Sequence, residues 1–170
     1  KKVYTDVLGL PEPTASARQG VLSKGVNNRF RDVTDGTSNT ILLCEAAGQP
    51  NVYTTAGPMN AARFALYSDD KIIDGSVSTP SFGGYAPADG TGWADPDCGF
   101  SINGATADGL DKYGPYFVNV INVSEPFSFH TGGCLVALGD GSVRFVSENV
   151  DGQTFVDACT RAGGEIVGEW

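Results

Sequence analysis

The chain has 170 residues, 41% of them hydrophobic, enough to bury a real core and better suited to one domain than two. Its 20 acidic and 11 basic residues give a formal net charge of -9, which repels phosphate backbones and anionic lipid surfaces and argues against nucleic acid as a partner. No apolar run approaches the roughly 20 residues that cross a bilayer, and the longest, Thr40 to Ala47, carries Glu45.

In chain order, residues 1–28 are weakly patterned. Lys1 to Pro13 lacks the sustained apolar centre of a secretion signal, and the Pro, Ser and Gly content of residues 10–20 predicts an irregular segment. Asp32, Thr34 and Asp35 ahead of Gly36 predict a tight turn or a single helical turn stopped by glycine. The run Asn39 to Glu45 then predicts a buried strand, although periodicity alone also allows a helix. From Gln49 to Val118 the chain is rich in Gly, Pro, Asp, Asn, Ser and Tyr, with short candidate strands near Arg63 to Tyr67 and Lys71 to Ile73. A stretch this long with so little regularity points to functional or ion-braced loops.

Phe117 to Val123 alternates apolar and polar residues and predicts a strand. Two more strands, "CLVAL" and "SVRFVS", flank "GDG", where Asp140 and Gly141 suit a two-residue hairpin turn with positive φ at both positions. Asp151 then caps a helix with Phe155, Val156 and Cys159 on one face, and Gly163 and Gly164 stop it after about three turns. The final "EIVGEW" predicts a short strand or a docked tail.

These elements amount to a single α+β, strand-dominated domain over residues 1–170. An antiparallel sheet holds the 134–147 hairpin, the Phe117 strand and the Asn39 strand, with the C-terminal helix packed on it and long Gly/Pro/Asp-rich loops. A sheet covered on one face buries Leu135, Ala137, Val143 and Phe145, or the alternate set. The cysteines, Cys44, Cys98, Cys134 and Cys159, form no C-x-x-C pair. Three of them have apolar neighbours, where a free thiol behaves as a small hydrophobe; a single disulfide is the alternative in a secreted protein.

His130 is the only histidine. A general base needs a hydrogen-bonded partner and a substrate cleft, whereas a histidine at a strand entrance can brace local geometry. A strand of five or six residues is about 17 Å long, so His130 and Asp140 sit at opposite ends of the hairpin, and the partner of His130 is expected on a neighbouring strand or in the loop from Trp93 to Asp97. No nucleophile elbow, zinc-protease helix or phosphate-cradling loop is present, and nothing singles out a glycosidase-like carboxylate pair among the acidic residues. Asp95, Asp97, Asn103, Asp108 and Asp111 offer hard oxygens for calcium in a glycine-punctuated loop; a solvated acidic loop with Asx turns is the competing reading. Tyr85, Trp93, Tyr113 and Tyr116 lie in or beside these loops and could stack on sugar faces, with core packing as the alternative for each.

One pattern is more specific. His130, nine residues, then Asp140, Gly141, Ser142, Val143, Arg144 and Phe145 resembles the processing-associated His-X9-Asp-Gly signature of bacterial prepilin-like surface proteins, whose domain is of unknown function and is sometimes labelled solute-binding. Asp32 to Gly48, Trp93 to Gly104 and Thr160 to Trp170 resemble the same family in the same order, from about Arg29 onward. The resemblance implies a pilin-like globular head without the family's leader and long apolar helix. It further implies an extracellular or cell-surface, non-enzymatic role in assembly or adhesion, with pilin-like subunits as partners. Its solute-binding label supports a carbohydrate-binding module for extracellular polysaccharide as the alternative, and an unrecognised hydrolase is a minor third reading.

Overall fold

Three strands form the central sheet because three short segments combine β-branched and large apolar residues between turn signals. They are β1 (Ile41–Cys44), β4 (Gly133–Leu138) and β5 (Val143–Ser147), antiparallel in the order β1-β4-β5. β2 (Tyr53–Thr54) and β3 (Gly57–Pro58) make a separate two-stranded hairpin, and α1 (Gly152–Cys159) follows β5. The structure is a computed structural model that describes residues 3–12, 14, 17–23, 25–60, 102–111, 113–123, 125–165 and 167–168. Arg63 to Tyr67, Lys71 to Ile73, Tyr85, Trp93, Asp95, Asp97 and Cys98 lie outside the described residues. The fold is α+β and β-dominated, with a single C-terminal α-helix among the described residues.

The hairpin forms where the sequence places it, but its turn differs. Leu138 N–H donates to Ser142 O at 2.9 Å and Gly141 N–H to Leu138 O at 2.9 Å, and of the loop residues Gly139 to Gly141 only Gly141 is left-handed, with φ +87°. This is a three-residue loop, a tight turn closed by a glycine bulge, so Asp140 does not need the positive φ of a two-residue turn. Asp140 instead accepts from Ser142 N–H at 2.9 Å and Ser142 hydroxyl at 2.7 Å. Those bonds hold its carboxyl below the usual carboxylate range.

The alternate set faces inward. Cys134, Val136, Leu138 and Val146 are buried with Phe155, Val156 and Ala158 of α1 and with Phe117 and Val118. Asp151 caps α1 by accepting from Thr154 N–H at 2.9 Å. The helix is shorter than the three turns expected. It ends at Cys159 because Thr160 turns extended, with ψ 148°. Gly163 and Gly164 are instead held by the Asp35 carboxylate, at 2.7 and 3.0 Å, and the described tail residues, 165 and 167–168, form no strand. The N-terminal segment is also more organised than its composition suggests, since a π-helical turn over Val3–Val7 sends Val3 and Tyr4 into the core.

Phe117 to Val123 is not a strand. Asn119 sits at φ +59°, and among the described residues the segment makes only an isolated bridge, Ile121 with Thr54. Phe117 and Val118 enter the sheet-helix core, whereas Val120, Ile121 and Val123 join a second cluster with Val52, Met59 and Ala105. An extended strand sends alternate residues to opposite faces; this segment has apolar company on both sides and kinks to serve both clusters.

Candidate functional site

Both faces of the hairpin are apolar, and among the described residues only one is covered. The register puts Leu135 opposite Phe145 and places Ala137 between Leu43 and Val143. A bulge between Ile41 and Leu43 lets Ile41 and Cys44 both face inward while Leu43 points out. Leu43 is 57% exposed, Leu135 37%, Val143 62% and Phe145 49%. Contiguous exposed apolar surface of this kind marks interaction sites more often than chance scatter does. Leu43, Leu135, Ala137 and Val143 line a shallow open groove of about 260 Å³ there, with Glu45 at its end.

The end of the groove is built by Glu45 and the His130 loop. Glu45 Oε2 accepts from Leu135 N–H at 2.6 Å, and its Oε1 lies 3.5 Å from His130 Nε2. The loop that presents His130 is shaped by Asn119, whose amide donates to Gly133 O at 3.0 Å and His130 O at 3.3 Å and accepts from Ser128 N–H at 2.8 Å. Ser128 hydroxyl donates to Gly133 O at 2.7 Å and accepts from His130 N–H at 3.0 Å. The neighbouring Phe129, 67% exposed, packs edge-on against Tyr53 and Phe127 at ring separations of 5.2 and 5.8 Å. The serine nearest His130 thus gives its proton to a carbonyl, and the imidazole meets a carboxylate that is itself part of the strand ladder. The arrangement braces the root of β4 and presents a surface.

The other sequence-predicted residues lie elsewhere. Tyr113, at φ +67°, packs on the main core, and Tyr116, 40% exposed, pairs with Ala105 across an isolated bridge. Asn103 N–H donates to Glu125, Asp108 Oδ1 accepts from Thr106 hydroxyl at 2.7 Å and Leu110 N–H at 3.0 Å, and Asp111 N–H donates to Thr106 hydroxyl. This is Asx-turn bracing. Among the described residues no group of three His, Cys, Asp or Glu side chains converges, and Asp95 and Asp97 of the set lie outside the described residues. His130 and Asp140 stand at opposite ends of the hairpin, as strand length requires.

The cysteines Cys44, Cys134 and Cys159 are free thiols, and burial pushes the first two up to about 12 and the third well above its ordinary value. They behave as core, not as nucleophiles.

A model of the family described as "Protein of unknown function (DUF1559)" matches residues 11–153. The chain belongs to the DUF1559 family. The match begins upstream of Arg29, where the resembling stretches start, and ends inside α1, before the Thr160 to Trp170 stretch. No curated protein and no solved structure gives a significant match. In this DUF1559 chain the sequence reading singled out His130 but missed Glu45, its partner, and the outer face. The signal for the face was present: "CLVAL" is unbroken apolar sequence, where a strand with one wet face alternates.

Proposed function

We propose that this chain is a non-enzymatic, cell-surface or extracellular module of a pseudopilin-like protein, and that it acts in assembly or adhesion through the outer face of the central sheet. One observation carries the reading: Leu43, Leu135, Val143 and Phe145 form a cross-strand apolar surface left open to solvent. Water-exposed apolar side chains contribute little to folding and much to docking, because their transfer free energy is gained only when a partner covers them. The His130–Glu45 pair supports the same reading by fixing the end of that face.

The test replaces Leu43→Asn and Leu135→Gln together. Stability is expected to stay within about 0.5 kcal/mol per site, while retention of the protein in the surface-associated or assembled fraction of the producing cell falls. Unchanged retention with both substitutions in place would refute the reading.

A further inference from the structure

The outer edge of β5 carries the same residues that carry the apolar face. Ladder bonds at Leu138–Ser142 and at Gly132–Glu148 fix the alternation of the hairpin, so Arg144 and Val146 bond to β4 and the backbone groups of Val143 and Phe145 point away from it. Among the described residues no strand pairs with that edge. β5 lacks the usual devices that blunt an edge: it contains no proline, its one charge is Arg144, and it is five residues long with Val143 and Phe145 exposed.

We propose that β5 pairs antiparallel with β5 of a second copy of this chain, about a two-fold axis at Phe145. Self-complementarity selects this occupant. With Phe145 opposite its own mate, Val143 faces Ser147 and Arg144 faces Val146, which leaves Arg144 diagonal to Glu148 and, nearer the axis, to Arg144 of the other copy on one face. Diagonal neighbours are within reach of long side chains, and a two-fold axis makes each contact occur twice. The outward N–H and C=O of Phe145 meet the same groups of the mate in a bonded pair, and the two apolar faces become one continuous surface across six strands, three from each copy. A single strand edge is a small contact, so the association is weak and concentration-dependent. The net charge of -9 on each copy opposes it at low ionic strength, so added salt strengthens it.

The inference rests on the reading of the outer face as a docking surface, and the test separates the two. Sedimentation equilibrium of the 170-residue chain, across concentration and at low and high salt, is expected to show a monomer–dimer equilibrium shifted toward dimer by salt. Arg144→Glu and Glu148→Arg are each expected to weaken the dimer by about tenfold, and the double exchange to restore it. Val143→Pro removes an outward N–H and is expected to weaken it as well, with circular dichroism confirming that the hairpin is kept. A chain that stays monomeric throughout, or a dimer indifferent to residues 143, 144 and 148, overturns the inference. Leu43 lies on β1, two strands from the axis. If Leu43→Asn alone lowers surface retention while no dimer is found, the docking reading survives and the self-pairing is wrong.

Discussion

The sheet-helix half and the loop half of this molecule are held together by different forces. In the first, β1, β4 and α1, and β5 along its β4 side, pair their backbone groups within ladders and turns, and apolar side chains such as Val136, Val146 and Phe155 fill the space between them. In the second, built from the loops 47–60 and 102–127, regular pairing is sparse and buried polar side chains take its place. Asn122, fully buried, donates to Ala47 O and Asn51 O and accepts from Tyr53 N–H, each at 2.9 Å. Glu125, also buried, accepts from Asn103 N–H at 2.7 Å and Gly104 N–H at 2.8 Å. Buried backbone groups must find partners; a strand supplies them from its neighbours, and an irregular loop needs a side chain able to reach.

The sharpest way to break this comparison is Asn122→Ala. It strands two carbonyls and one N–H inside the second cluster, and unsatisfied buried groups cost about 1–3 kcal/mol each. The expected loss is about 3–5 kcal/mol by chemical denaturation, a large part of a normal domain's stability. Hydrogen exchange should quicken first at Tyr53, Thr55 and Asn122 and last at residues 134–146. Equal quickening in both halves would mean that the two regions unfold as one unit.

Glu125 gives the next effect, and its sign depends on pH. Burial pushes its carboxyl well above the ordinary 4.5, more strongly than the N–H groups of Asn103 and Gly104 pull it down. Among the described residues its second oxygen, Oε2, has no hydrogen-bond partner. The folded state therefore holds the proton more tightly than the unfolded state. Stability from this group is full below the unfolded value and is lost as pH rises through the folded one. Glu125→Gln keeps an acceptor for both N–H groups and removes the titration. The variant should gain on the wild type as pH rises from about 4.5. A constant difference between the two denaturation midpoints from acid to neutral pH would show that Glu125 does not titrate in that range.

The same division explains what could be read in the sequence. The hairpin, β1 and the Asp151 cap are local: an Asp-Gly corner between apolar runs, or an acidic residue ahead of an amphipathic stretch, names its own structure. The hub is not local. Asn122 is separated by 69 to 75 positions from the groups it holds, and an asparagine within a run read as a strand gives no sign of partners so far away. The outer face failed for another reason. The unbroken apolar run marks both faces of β4 as apolar, but which set points to solvent is decided only by the register, so the choice between Leu135 with Phe145 and Cys134 with Val146 stayed open. The partner of His130 was expected on a neighbouring strand or in the Trp93 to Asp97 loop; Glu45, one residue past the end of β1, carried no signal of its own.

Gly141→Ala gives the smallest effect and isolates locality itself. Gly141 stands at φ +87°, yet a Cβ there would meet nothing within 4 Å among the described residues, whereas at Gly114 it would collide with Ala105 O. The cost at Gly141 is therefore conformational alone, about 1–2 kcal/mol for an L residue held left-handed, and Gly141→Asn should cost less because asparagine tolerates that region. Denaturation midpoints of the two variants check the ranking, and amide chemical shifts of β4 and β5 check that the register from Gly133–Ser147 to Ala137–Val143 is kept. A slipped register would exchange the buried set Cys134, Val136 and Leu138 for Leu135 and Ala137. That outcome would mean that the glycine bulge, not the inward apolar set, decides which face of the hairpin the core receives.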